Sequence, residues 1–160
     1  MSNWWPRYSR LSRFGGVRTG GEVWLLARVV VVAALVPVLM RLPLARVRAL
    51  LEPRREAHVL DLDDERRVIG LVNLALDKLQ PLFRATCLTR GITRYYFLRR
   101  AGVDVSLAFG IARPSMTEVA GHCWLVREGE PFLEARDPRS AFTEVYRISP
   151  SPSRAGLAAC

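Results

Sequence analysis

At 160 residues, half of them apolar, the chain can bury the core of one domain, which excludes a disordered protein or a tandem array. A net charge of +9 invites a nucleic-acid reading, but no zinc-finger, RNP or helix-turn-helix pattern accompanies it, so nucleic acid is not expected as a partner. Three cysteines without a CxxC pair (Cys87, Cys123 and Cys160) exclude a disulfide framework and fit a reducing, cytosolic setting; Cys160, as the last residue, is not a prenylation box.

The charge is unevenly placed. Residues 1–57 hold 10 arginines against 3 acidic residues, a net of +7, and the rest of the chain carries +2. A basic segment beside an apolar one suits a membrane surface or an acidic peptide partner. Residues 1–21 mix Trp4, Trp5, Tyr8 and Phe14 with arginines and are broken by Gly15-Gly16 and Gly20-Gly21, which predicts an irregular or amphipathic lead-in. Residues 22–40 are the most apolar stretch. Arg28 leaves only Val29 to Met40 uncharged, with Pro37 among them, short of the roughly 20 residues of a spanning helix. No small-residue cleavage site follows. A span stays open, because Arg28 could snorkel, but a buried or interfacial helix is the expectation, in a cytoplasmic protein that residues 22–40 could make peripheral to the membrane.

Leu42 to Leu51 continues as a basic amphipathic helix ending near Pro53, and 53–60 reads as a linker with His58 on the surface. Asp61, Asp63 and Asp64 then open a helix whose first turn favours acidic residues. Val68, Leu71, Val72, Ala75 and Leu79 supply its apolar stripe and Pro81 stops it. A second helix begins at Cys87, with Thr86 as N-cap and Gly102 as the left-handed residue beyond its end. Its Tyr95, Tyr96 and Phe97 read as core and helix-face residues, and Arg99-Arg100 as a solvated end that suits the dipole.

From Val103 the period changes to two. Val103–Ile111, Val119–Arg127, Pro131–Ala135 and Phe142–Ile148 read as four strands, with Arg113-Pro114-Ser115 and Glu128-Gly129 as turns. The tail from Ser149, rich in Pro and Ser, reads as disordered. The order gives an α+β domain: a basic, apolar helical region at 1–57, a main domain at 58–148 and a tail at 149–160.

A thiol in the first turn of a helix sits in a positive potential that favours thiolate. On the strand 119–127, alternation places Ala120, His122, Trp124 and Val126 on one face and Gly121, Cys123 and Leu125 on the other. A cysteine at a helix N-terminus, a strand histidine and a carboxylate on the next strand follow the logic of an acyl-transfer triad. First-turn backbone N–H groups beside Cys87 would hold the oxyanion. The carboxylate depends on hairpin register. A two-residue loop at Glu128-Gly129 sets position 135 opposite His122, turns Glu134 away and leaves Asp137 as a diagonal neighbour. A three-residue loop or a bulge brings Glu134 to His122. Zinc held by Cys87, His122 and Cys123 would need adjacent strand residues that point to opposite faces, so no metal is expected.

Three blocks carry a resemblance: RATCLTRGITRYYFLRRAGV at 84–103, VSLAFGIAR at 105–113 and GHCWLVREGEP at 121–131. Together they resemble the lasso-peptide leader peptidases, transglutaminase-like cysteine proteases of bacterial peptide-natural-product clusters. The family shares a Cys-Leu pair opening the helix, an arginine-rich helix end before Gly and an Ala-His-Ala-Trp strand, and the likeness covers about residues 66–148. It implies a papain/transglutaminase-like fold, Cys87 as nucleophile, His122 as base and an acidic third member at about Glu134. The chain departs from the pattern by Glu where Asp is usual, with Asp137 nearby, and by Gly121 and Cys123 where Ala is commoner. The resemblance further implies removal of the leader from a ribosomally made lasso precursor, freeing the core's N-terminal amine for a separate macrolactam-forming ligase. It implies no cofactor and a separate small leader-recognition protein (a RiPP recognition element) as partner, because the N-terminal third has no room for that domain. Two alternatives stand beside it: an acyl transferase using the same thioester, and a non-catalytic module that binds precursor or partner.

Overall fold

A computed structural model describes residues 20–53, 62–79, 86–112 and 119–150. The lead-in at 1–19, most of the linker with His58, the Pro81 stop, the Arg113-Pro114-Ser115 turn and the tail with Cys160 lie outside the described residues. Among the described residues four helices precede one antiparallel sheet, on which α4 packs: α1 (Gly20–Leu39), α2 (Leu44–Leu51), α3 (Leu62–Leu79), α4 (Cys87–Arg100), β1 (Ser106–Ala112), β2 (Ala120–Arg127), β3 (Glu130–Phe132) and β4 (Thr143–Ile148). The sheet order is β3-β2-β1-β4, so the histidine strand β2 is central. The α+β reading holds.

Alternation of apolar residues along β1 and β2 buries one sheet face on α4. Leu107 and Leu125 meet Ile92, Tyr95 and Leu98 there, and Val36 of α1 and Val47 and Leu51 of α2 join the same cluster. A second cluster fills the space between α1, α3 and α4 with Val29, Ala33, Val72, Ala75, Leu76 and Phe97. The helices of the basic N-terminal region therefore share the core of the elements that follow.

Several expectations are corrected. Gly20-Gly21 is not a break but the first turn of α1, whose apolar face pulls the helix through to Leu39. At 20 residues α1 is long and apolar enough to cross a bilayer by length and composition. Its inner face is nevertheless buried in the domain, where Val29, Ala33 and Val36 pack and Glu22 pairs with Arg67 of α3. On α3 Val72 and Ala75 are buried as expected and Ile69 and Leu76 join them, Val68 and Leu71 are half-buried, and the Leu79 side chain lies outside the described residues. Arg99 and Arg100 are not a solvated end. Arg99 bonds the Val103 carbonyl (3.3 Å) and Asp104 (3.1 Å). Arg100 lies over the Tyr96 ring, 3.5 Å from its centroid, and donates to the Leu51 carbonyl at 2.9 Å, capping α2. Tyr95 and Phe97 are core, as expected.

Two more arginines fix the pose of α4. Arg90 and Arg94 are buried on its α3 side, where Arg90 pairs with Asp77 and Arg94 Nε donates to Asn73 Oδ1 at 2.8 Å. Buried guanidinium groups cost heavily unless paired, so these contacts tie α4 to α3.

Candidate active site

The site is built where the first turn of α4 meets the start of β2. Thr86 caps α4, its hydroxyl accepting from the Thr89 N–H at 3.3 Å, so Cys87 is the first helical residue as its position predicted. The thiol is half-buried, and Sγ lies 3.9 Å from the carbonyl oxygen of Gly121, the residue before His122. A methyl group at Gly121 would meet nothing within 4 Å, so the space beside the thiol is open.

His122 is held on three sides. Its ring stacks on Trp124 (centroids 5.9 Å apart, 18° between planes) and is tilted against Phe142 at 5.1 Å. Its Nε2 faces Glu134 Oε2 at 3.7 Å, with both side chains 17 % exposed. Burial by itself pulls the imidazole towards the neutral form. Hydrogen bonding to the Cys87 and Glu134 side chains outweighs it and holds the pKa up to about 9. The ring is therefore protonated at neutral pH, the state that stabilises a neighbouring thiolate.

The carboxylate arrives by a route that the register argument did not include. The hairpin is the two-residue form: Arg127 pairs with Glu130, and Glu128 and Gly129 have φ of 52° and 84°, as a primed turn requires. Continued regular pairing would turn Glu134 away from His122. Instead Leu133 takes φ 60°, β3 stops at Phe132 rather than Ala135, and the redirected chain brings Glu134 to the imidazole. A left-handed leucine costs on the order of 1 kcal/mol and is a strain that functional sites retain. Asp137 is engaged elsewhere. It caps the turn Pro138–Ser140, accepts from the Arg139 N–H at 2.9 Å and pairs with its guanidinium, and these bonds hold its carboxyl below the usual range.

Cys123 points to the opposite face, as alternation predicted. Burial pushes its thiol well above the ordinary value, and it packs on α4 at Gly91, where a Cβ would lie 2.5 Å from its Sγ. Among the described residues no group of three or more His, Cys, Asp or Glu is arranged to hold a metal ion. Two features escaped the sequence reading. Phe142 walls the histidine, and Gly110, the cross-strand partner of His122, leaves room for the Trp124 ring, since a Cβ there would lie 2.7 Å from it. A glycine inside a strand was the available signal.

The geometry yields a direct test. The His122 imidazole should titrate near pH 9 by NMR in the wild type. Its midpoint should fall in Glu134→Gln and in Cys87→Ala and stay put in Asp137→Asn. The raised pKa also makes folding pH-dependent. The His122 contribution is complete below about 6.5, the unfolded value, and is lost as pH rises from there through about 9. Unchanged midpoints in both Glu134→Gln and Cys87→Ala would remove these side chains as the cause.

A cysteine in the first turn of a helix, beside a strand histidine and a carboxylate from the segment after β3, is an arrangement suited to acyl-enzyme chemistry. The sequence model of the Transglutaminase-like superfamily matches residues 27–147, most of the chain, including α4, β2 and the segment that carries Glu134. The chain belongs to the transglutaminase-like superfamily, which includes cysteine proteases and acyltransferases. No curated protein and no solved structure matches the chain.

Proposed function

We propose that Cys87, His122 and Glu134 form the triad of a cysteine peptidase that removes the leader from a lasso peptide precursor. The observation that carries the chemistry is the imidazole bridging the thiol and the carboxylate at the N-terminus of α4. The three sequence blocks that resemble leader peptidases support the substrate class.

Glu134 takes Nε2, which orients the ring and leaves Nδ1 to exchange a proton with Sγ. With the thiol proton already held on His122, the thiolate attacks the carbonyl at the leader–core junction. The oxyanion accepts from first-turn N–H groups of α4. His122 returns its proton to the leaving amine, the C–N bond breaks and the core departs with a free N-terminus. A water molecule, deprotonated by His122, then attacks the thioester. It releases the leader carboxylate and restores the thiol. A separate recognition protein delivers the leader, the ligase takes the freed amine, and the setting is the reducing cytosol.

The second reading, acyl transfer to an amine, is favoured by the superfamily's own range. Cleaving the precursor with its recognition protein in heavy-oxygen water separates the two. Hydrolysis places one heavy oxygen in the leader's new carboxylate and yields an unmodified core. An unlabelled leader joined to an amine would make the protein a transferase, and an intact precursor that still binds would make it a non-catalytic module.

A further inference from the structure

The outward face of α1 has the wrong chemistry for a helix left in water. Trp24 is 67 % exposed, Val31 and Val38 56 % and Leu35 55 %, with Val23 and Val30 beside them. These positions fall within one half of the helix cylinder, opposite the buried Val29, Ala33 and Val36. A surface helix of a globular domain ordinarily turns charge outward, and an uninterrupted apolar face of this size marks a docking surface.

The charges beside it identify what docks. Between Glu22 and Glu52 the chain has no acidic residue and four arginines, Arg28, Arg41, Arg46 and Arg48. Glu22 itself is buried against Arg67. Arg48 pairs with Glu52 at 3.6 Å and Arg28 lies over the Phe97 ring, so the arginines turned to an acidic surface immediately after α1 are the exposed Arg41 and Arg46. Trp24 lies near the start of the same face, and an indole left this exposed suits the boundary between water and lipid, where its apolar body and polar N–H are both satisfied. We infer that α1 docks the domain onto an anionic lipid bilayer, its outer face in the headgroup–acyl boundary and the arginines on acidic headgroups.

The core decides between lying on the membrane and crossing it. Val29 and Ala33 pack with Val72, Leu76 and Phe97, so a spanning α1 would strip one side from that cluster. Lying in the interface leaves the cluster intact and buries only what is now exposed. A second copy of the chain would cover the apolar face equally well but would set like-charged arginine clusters near one another, whereas acidic headgroups neutralise them. Docking would hold the cysteine site in the aqueous phase next to the bilayer, independently of which substrate that site cleaves.

Flotation of the full-length protein with vesicles tests this. The wild type should float with vesicles containing phosphatidylglycerol, float poorly with pure phosphatidylcholine and be released by high salt. The double variant Val31→Glu/Leu35→Glu should lose about tenfold or more in apparent affinity, and Arg41→Glu/Arg46→Glu should lose the preference for phosphatidylglycerol. Both variants should keep the wild-type melting temperature and Cys87 alkylation rate, because these side chains are exposed. Three results would each overturn the inference: no flotation of the wild type, equal flotation with neutral vesicles, or a concentration-dependent dimer that Val31→Glu/Leu35→Glu makes monomeric without changing flotation.

Discussion

Cys87→Ala and His122→Ala should each lower leader removal by about 10³-fold or more, and the double variant should lose little beyond either single one. Nucleophile and base act as a unit: without the imidazole the thiol has no proton acceptor, and without the thiol the imidazole has nothing to activate. The two variants should differ in a second measurement. Alkylation of Cys87 by iodoacetamide at pH 7 should slow in His122→Ala, because the imidazolium that stabilises the thiolate is gone. Cys123 should remain unlabelled in the folded protein, since it is 4 % exposed and its thiol is held protonated. A His122→Ala variant that is alkylated and turns over at wild-type rates would show that the strand histidine is only a packed side chain.

Gly91→Ala should damage both stability and turnover, and Cys123→Ala should rescue both. The added methyl would lie 2.5 Å from Cys123 Sγ and 3.4 Å from Leu107 Cδ1, between α4 and the sheet. Overpacking of this kind costs about 1–3 kcal/mol. The less costly relaxation moves α4 off β2, which carries Cys87 away from His122, so turnover should fall further than the stability loss alone explains. Removing Sγ makes room for the new methyl. The double variant should therefore be more stable than the sum of the single variants predicts, by about 1–2 kcal/mol in urea unfolding. Simple additivity, with turnover unrecovered, would mean that this contact does not set the helix–strand distance.

The legible and illegible parts of the fold separate along physical lines. The cap at Thr86, the helix it opens and the left-handed Gly102 (φ 82°) follow from local backbone chemistry. The opposite orientations of His122 and Cys123 follow from the period of a strand. The turn at Glu128-Gly129 was legible, but its two-residue length was not, because the pair fits loops of either length. Leu133 was not legible. Nothing local prefers a left-handed leucine, and the contacts that hold it come from elsewhere in the fold, so the choice between Glu134 and Asp137 stayed open until the kink was seen. Arg99 and Arg100 look like an ordinary basic helix end, and only the arrival of α2 at Leu51 turns Arg100 into its cap. On α3 Val72 and Ala75 were legible, but Ile69 and Leu76 were not, because several neighbouring positions are apolar and the sequence does not say which way the helix rolls.

The central claim is that Cys87 opens the leader–core bond, and the precursor itself tests it most directly. Wild type and Cys87→Ala are incubated with precursor and recognition protein, and the mixtures are read by mass spectrometry. The triad predicts free leader and free core from the wild type and intact precursor from Cys87→Ala. Equal cleavage by the two proteins would contradict it.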